Sequence, residues 1–342
     1  MNKISLVMVG FGNVGRAFAR LVMRKQGALE VDHGVSFKVT GIATGSHGMA
    51  IDPDGIDLQK AVELSEKGAS LESLSSLPAP ADVLDLIRTC PGDALLENSP
   101  VNHHTGQPAV DHLHAALEAG MHAITANKGP VVHAFRELSE LAASCNRRFM
   151  FESTVMDGAP IFSLFRNTLP ASELSGFNGI LNSCTNFILE CMEGGDTFDQ
   201  AVAHAQSIGI AETDPSGDID GWDAAIKVAA LATVLMGVPL KPQQVEREGI
   251  RGISPQMIEE ARREGERWKL VCRAERRGGG VRASVAPQRV AAQSPLYSIN
   301  GTSSFCQFET DVLPALGILE GNPGPETTAY GLLADLLEAL SG

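Results

Sequence analysis

Residues Ile4–Gly15 read ISLVMVGFGNVG, an apolar run that passes straight into a glycine-rich turn. Leu, Val, Met and Ile with little polar alternation are what a strand buried on both faces of a parallel sheet carries. A helical pattern follows from Val14 to about Lys25, with Ala17, Phe18, Leu21 and Val22 on its inner face. A GxGxxG run between a strand and a helix is the context in which this motif binds a dinucleotide. Gly10 permits the tight turn, Gly12 lets the main chain approach a pyrophosphate, and Gly15 lets helix and strand pack closely. The positive end of the helix then faces the phosphates. The expected cofactor contacts in this turn are Gly10, Phe11, Gly12, Asn13, Val14 and Gly15.

Working outward, further strands are expected at Phe37–Ala43, Val83–Ile87, Ala94–Asn98, His122–Ala126 and Arg148–Glu152, with helices at Gln107–Ala119 and Val131–Ser144. Strand alternating with helix indicates an α/β domain of the Rossmann type, a doubly wound parallel sheet over residues 1–150. The pattern then changes. Pro160–Thr168, Asn186–Glu193, Asp199–Ile208 and Trp222–Met236 read as helices and Gly176–Leu181 as a strand. Arg273–Val290 has the short alternation of antiparallel strands, so residues 151–312 form a second, α+β domain. Within the remaining 313–342, Gly317–Gly324 reads as a loop and Thr327–Leu340 as a helix that returns to the first domain. Ser65–Pro80 and Arg276–Gly280 are the stretches richest in disorder-promoting residues.

An NAD-selective site usually has an acid at the end of the second strand. This strand ends Ala43-Thr44-Gly45-Ser46-His47, and Glu30 and Asp32 precede it. Thr44, Ser46 and His47 are the expected ribose contacts; Ser46 and His47 can accept a 2′-phosphate, which favours NADP and leaves NAD open. Ser99, after the Ala94–Asn98 strand, is a further expected cofactor contact.

The 342 residues are 44% hydrophobic and carry a net charge of −14, which argues against a nucleic-acid or anionic-membrane surface. Cys90, Cys145, Cys184, Cys191, Cys272 and Cys306 are scattered without CxxC spacing, as in reduced cytoplasmic proteins. No signal peptide or bilayer-spanning run is legible.

The chemistry points to AETDPSGDIDGWDAAIKVAALATVLM, Ala211–Met236. Its helix is apolar nearly all round, so it is expected to be buried. Asp223 and Lys227, four apart, share one face. A buried pair of this kind is either a structural ion pair or a proton-handling site. Upstream, Glu212, Asp214, Asp218 and Asp220 crowd carboxylates around Pro215 and Gly217, suited to an amino-bearing substrate or to a solvated acidic cap.

These segments resemble the homoserine dehydrogenase family. TANKGP (Thr125–Pro130), ESTVMDGAPI (Glu152–Ile161), GILNSCTNFIL (Gly179–Leu189), AETDPSGDIDGWDAAIK (Ala211–Lys227) and GNPGPETTAYGLLADLL (Gly321–Leu337) occur in the family's order over nearly the whole chain. The resemblance implies reversible, NAD(P)-dependent oxidation of homoserine to aspartate 4-semialdehyde, as in threonine and methionine biosynthesis. By position it implies Glu212 and Asp218 at the substrate's amino end, Asp223 and Lys227 as the catalytic pair, and Lys128 as a second lysine at the reacting oxygen that also meets the cofactor. It implies Gly321 and Glu326 beside the nicotinamide, and a homodimer, with 151–312 as the substrate and dimerisation domain. It also implies a structural monovalent cation (Na+ or K+) on backbone oxygens of Glu152, Val155, Asp157 and Ala159. Ser183 and Cys184 stand near the substrate where the family often has Gly-Thr, so a homologous dehydrogenase for another small hydroxy-amino or hydroxy acid is the alternative. The expected form is short, without a regulatory domain after the closing helix and without threonine feedback through one.

Two other readings have specific residues behind them. Ser183-Cys184-Thr185-Asn186 is similar to the run around the nucleophile of phosphorylating aldehyde dehydrogenases, which needs a base such as His204 beside Cys184. His103, His104, His112 and His114 are close in sequence, but His112 and His114 point to different helix faces and no acid or cysteine completes a metal set.

Overall fold

In the computed structural model, residues 1–341 are described, and the chain divides into two compact units: Met1–Pro160 with the stretch from Gly324 onward, and Ile161–Pro323. The first unit is built on a six-stranded sheet. Its strands are β1 (Asn2–Val9), β2 (Val35–Ala43), β3 (Met49–Ile51), β4 (Ala94–Glu97), β5 (His122–Thr125) and β6 (Phe149–Met150), in the order β3-β2-β1-β4-β5-β6. All neighbours are parallel except β3, which pairs antiparallel with β2 at the edge. Strand order reverses between β1 and β4, so the carboxyl ends of these strands open a crevice there, the usual ligand position in such sheets.

The expected strand at Val83–Ile87 is instead a helix, Val83–Thr89. A run of five apolar-rich residues is ambiguous by periodicity, and Asp82 resolves it: its carboxylate accepts from the Asp85 N–H at 2.8 Å and caps the helix. Leu86 and Ile87 are then buried. The single helix expected over Val131–Ser144 is two, Lys128–His133 and Phe135–Ser144, broken at Ala134.

The closing helix, Pro325–Leu340, buries Ala329, Leu332, Leu333 and Leu336 in the same apolar cluster as Leu6, Phe18, Val22 and Leu96. It is also pinned through polar groups. Asp335, 2% exposed, accepts from the Glu152 N–H at 2.7 Å, and the Ser153 hydroxyl donates to Thr328 O at 2.8 Å. A Cβ on Gly158 would stand 2.4 Å from Thr327 O, so this approach requires glycine.

The second unit has a mixed sheet of β7 (Leu174–Ile180), β8 (Glu246–Arg247), β9 (Glu266–Arg277), β10 (Gly280–Ala291), β11 (Ser304–Thr310) and β12 (Leu316–Glu320), ordered β12-β11-β7-β9-β10-β8. Strands β9 and β10 form the hairpin whose turn includes Gly278 and Gly279 at positive φ. Strand β12 occupies much of the Gly317–Gly324 segment read as a loop; pairing with β11 makes it a strand despite its glycines. Helix Trp222–Leu235 is buried from Ala224 to Ile226 and from Val228 to Thr233, which leaves the Asp223 and Lys227 face to polar partners. Among the described residues no helix is long and apolar enough to cross a membrane.

Candidate functional site

In the first unit the glycine-rich turn has the geometry its sequence requires. Gly10 lies at φ 88°, donates its N–H to Ala43 O at 2.9 Å, and would place a Cβ 2.4 Å from the carbonyl of Asn98. Gly15 would place one 2.6 Å from Gly10 O. Gly12 meets nothing within 4 Å, so its missing side chain is not demanded by the chain's own packing. The space above it lies at a helix start with no side-chain cap, where free N–H groups and the helix dipole favour an anion. Arg16 was missed by sequence reasoning. Its guanidinium donates to Asn13 Oδ1 at 2.8 Å and Ser65 Oγ at 3.2 Å, bringing positive charge to the first turn of an otherwise acidic protein. The signal available was a lone cation one residue beyond the motif.

A cleft of about 610 Å³ runs along this edge, lined by Gly10, Thr44, Gly45, Ser99, Pro100 and the Asp82–Leu84 helix start among others. The start of the Val83–Thr89 helix thus forms a wall of the cleft. Thr44 closes a tight turn: its hydroxyl donates to Gly48 O at 3.0 Å and accepts from the His47 N–H at 2.6 Å. Thr44 lines the cleft, whereas Ser46 is exposed and His47 half-buried on the turn. Beneath the cleft Glu97 is fully buried at the end of β4, accepting from the Ser99 N–H at 3.2 Å and the Thr125 hydroxyl at 3.3 Å, with His112 Nδ1 at 3.3 Å. His112 thus faces inward, while His114 turns outward to Glu118 at 3.5 Å.

Lys128 begins a helix just past the carboxyl end of β5. Asn127 holds that junction: its carbonyl accepts from the Gly129 N–H at 2.9 Å and its amide donates to Ser99 O at 3.0 Å. In the Glu152–Ala159 loop, Phe151 O accepts from the Thr154 hydroxyl and Met156 O from the Ala159 N–H, neither being one of the four oxygens expected to face a cation. Asp157 accepts from the Thr327 hydroxyl at 3.0 Å. Glu326 is exposed and lies 3.6 Å from Arg24.

In the second unit a compact cluster forms where helix Trp222–Leu235 passes the loop after β7. Lys227 Nζ is 3.0 Å from Asp223 Oδ2 and donates to Leu181 O at 2.6 Å; the two side chains are 15% and 19% exposed. Asn182, 4% exposed, ties the rest together. Its amide donates to Asp218 Oδ1 at 2.6 Å and to Asp223 Oδ2 at 3.0 Å, while its carbonyl caps helix Ser183–Glu193 by accepting from the Thr185 N–H at 2.8 Å. One buried amide therefore bridges two like-charged carboxylates. Sequence reasoning missed Asn182; the only signal was an N-cap residue type directly before the Ser183-Cys184 departure.

The upstream carboxylates divide. Asp218 joins the cluster, Asp214 accepts from the Ser216 N–H, and Asp220 pairs with Arg251. Glu212 is exposed, and Gln206 donates to its main-chain oxygen at 3.1 Å. Ser183 lies on the same helix start, its hydroxyl 3.4 Å from that of Ser304. Cys184 is 4% exposed, and burial, then the neighbouring Asp218 and Asp223, push its thiol well above the ordinary range. It is held as a thiol, which opposes a thiolate nucleophile. His204 is not its base: Nδ1 stands 3.7 Å from Cys191 Sγ.

The chain is similar to known proteins over nearly its whole length. The family model for homoserine dehydrogenase matches residues 160–337, and that for the homoserine dehydrogenase NAD-binding domain matches 10–152. An NAD(+)-dependent homoserine dehydrogenase of Pseudomonas canavaninivorans is 36% identical over 341 residues, covering 98% of this chain and 96% of the relative. The homoserine dehydrogenase of Methanocaldococcus jannaschii is 35% identical over 338 residues, with 98% of each chain covered. A hyperthermophilic archaeal homoserine dehydrogenase solved in complex with NADPH superposes with a TM-score of 0.84 at 29% identity, covering 99% of this chain and 98% of that one.

Proposed function

Because this chain belongs to the homoserine dehydrogenase family, and is thus an NAD(P)-dependent oxidoreductase acting on a CH–OH group, we propose that Lys227, Asp223, Asp218 and Lys128 carry its interconversion of homoserine and aspartate 4-semialdehyde. The nicotinamide, when bound, accepts or returns the hydride. The residues present fit it: an open seat above Gly12, a helix start without a side-chain cap, and Arg16 at that turn.

The observation that supports the catalytic reading most is the Lys227–Asp223 pair joined to Asp218 through Asn182. Oxidising an alcohol requires a group that takes the hydroxyl proton; the reverse requires one that gives it back to the nascent oxyanion. Lys227 is aimed for this by two acceptors, Asp223 and Leu181 O. Asp218 is suited to the substrate's ammonium, and Glu212 joins it in the same proposal. Lys128 is proposed as a second catalytic lysine. The remaining proposals are a monovalent cation on the Glu152, Val155, Asp157 and Ala159 oxygens, a homodimer, a cytoplasmic location and preference for NADP over NAD.

The test is oxidation of NADPH and NADH by the purified protein with aspartate 4-semialdehyde, and the reverse assay with homoserine. Lys227→Ala and Lys128→Ala should each lower turnover far more than cofactor affinity. Removing one partner of a buried pair also destabilises, by roughly 3–5 kcal/mol, so Asp223→Asn is measured alongside. Near-normal turnover in a folded Lys227→Ala protein would overturn its role, and cofactor binding without turnover on homoserine would favour the other small hydroxy acids.

A further inference from the structure

The hairpin of helices Ser183–Glu193 and Phe198–Ser207 brings together three chemically different metal ligands. Cys191 projects from the first helix, Asp196 from the connecting loop and His204 from the second helix, and one ligand atom from each lies within 4.8 Å of the other two. Among the described residues this is the one such group of His, Cys and carboxylate side chains. We infer that it is a binding site for a thiophilic divalent cation of the zinc class.

The spacing is the first argument. Zinc holds thiolate sulfur at about 2.3 Å and imidazole nitrogen at about 2.0–2.1 Å in a tetrahedron, which places those two ligand atoms about 3.6 Å apart. Cys191 Sγ and His204 Nδ1 stand 3.7 Å apart, so the sulfur–nitrogen edge of the tetrahedron is already set. An Asp196 carboxylate oxygen lies within 4.8 Å of both and is the third ligand, and solvent can supply the fourth. Thiolate with imidazole and one carboxylate suits zinc or cobalt and excludes magnesium and calcium, which take oxygen ligands.

The scaffold is the second argument. Gly195 sits at φ 110°, and the Asp196 N–H donates to Cys191 O, folding the loop back over the end of the first helix. Thr197 and Gln200 form a reciprocal capping box that fixes the start of the second helix one residue after Asp196. The His204 ring packs edge-on against Phe187 at 5.4 Å, which limits its rotation. All three ligands are therefore presented by restrained backbone. Cys191 is half-buried and, without a cation, protonated: burial, then Asp196 and Glu190, raise its thiol. Binding transfers that proton to solvent and leaves a thiolate on the cation, so uptake is accompanied by proton release.

The experiment is titration of the untagged, chelator-treated full chain with Co2+ and then Zn2+, following the thiolate-to-cobalt charge-transfer band, protons released and thermal midpoint. The expected result is one tight equivalent per chain, a charge-transfer band displaced by Zn2+ and a raised midpoint. Cys191→Ser should abolish the band and His204→Gln should weaken binding, while Cys145→Ser, at the other half-buried cysteine, leaves both intact. No tight equivalent, or a band that survives Cys191→Ser, would overturn the site. Because none of the three ligands belongs to the Lys227 cluster, failure here leaves the dehydrogenase reading untouched, and loss of activity in Lys227→Ala leaves this one untouched.

Discussion

Replacing Asn182 by Ala separates the organisation of the site from the stability of the fold. The side chain does two jobs. Its carbonyl caps helix Ser183–Glu193 through Thr185, and its amide donates to Asp218 at 2.6 Å and Asp223 at 3.0 Å. Loss of an N-cap costs about 1 kcal/mol. A hydrogen bond to a charged group contributes roughly 1.5–3 kcal/mol, and each 1.4 kcal/mol or so of lost transition-state stabilisation is about tenfold in rate. Asn182→Ala should therefore lower stability modestly but kcat/KM about 10- to 150-fold for one of the two bonds, more if both are felt in the transition state. Asn182→Asp provides the discriminating comparison. An Asp keeps the cap, since its carboxylate can still accept from Thr185, but it removes the donor and sets a third negative charge against Asp218 and Asp223. Neighbouring like charges raise a carboxyl's pKa, so lowering the pH toward that raised value protonates the introduced group and restores a donor. The variant should lose both activity and stability at neutral pH, where the introduced carboxylate is ionised and buried, then regain part of both relative to the parent as the pH falls. Steady-state kinetics across pH with parallel urea unfolding make the test. Wild-type kcat/KM in both variants, or losses in Asn182→Asp with no relative recovery at lower pH, would refute the bridging role.

Other consequences concern stability and the cofactor turn. Lys269 is 1% exposed, donating to Asn186 Oδ1 at 2.8 Å and to Ile299 O, and burial brings its ammonium down to about 8 from 10.5. The unfolded chain therefore binds more protons between those two values, so this group's contribution rises with pH across that window and its charge-burial cost is complete below it. That cost is about 3 kcal/mol; Lys269→Met should flatten the rise in urea stability between neutral and strongly alkaline pH, and an unchanged pH slope would contradict it. Gly10→Ala should abolish cofactor binding and lower the thermal midpoint, because its Cβ would meet the Asn98 carbonyl at 2.4 Å in a backbone conformation that L residues avoid. Fluorescence titration with NADPH showing parental affinity would overturn that account.

What the sequence determined by itself was local. The GxGxxG turn was legible because strand, turn and helix are contiguous, so Gly10 and Gly15 could be assigned their packing roles from spacing. The Asp223–Lys227 pair was legible for the same reason: residues four apart on a helix share a face whatever surrounds them. At Val83 periodicity alone is ambiguous, and the Asp82 cap makes an apparent strand the helix lining the cleft. The Gly317–Gly324 segment reads as a loop because its glycines and proline disfavour a strand; its first half becomes β12 by antiparallel pairing with the preceding β11. Other features were set only by tertiary structure. Asn182 lies 36 and 41 residues from the carboxylates it bridges, so no periodicity could reveal it. Only folding sent Asp220 to Arg251 and Asp218 to Asn182, 31 and 36 residues away. Even Cys191 and His204, thirteen apart, meet only because two helices fold back through Gly194 and Gly195. Hydrogen-bond partners and burial depend on which surfaces the packed core brings together, and that information resides in the whole fold.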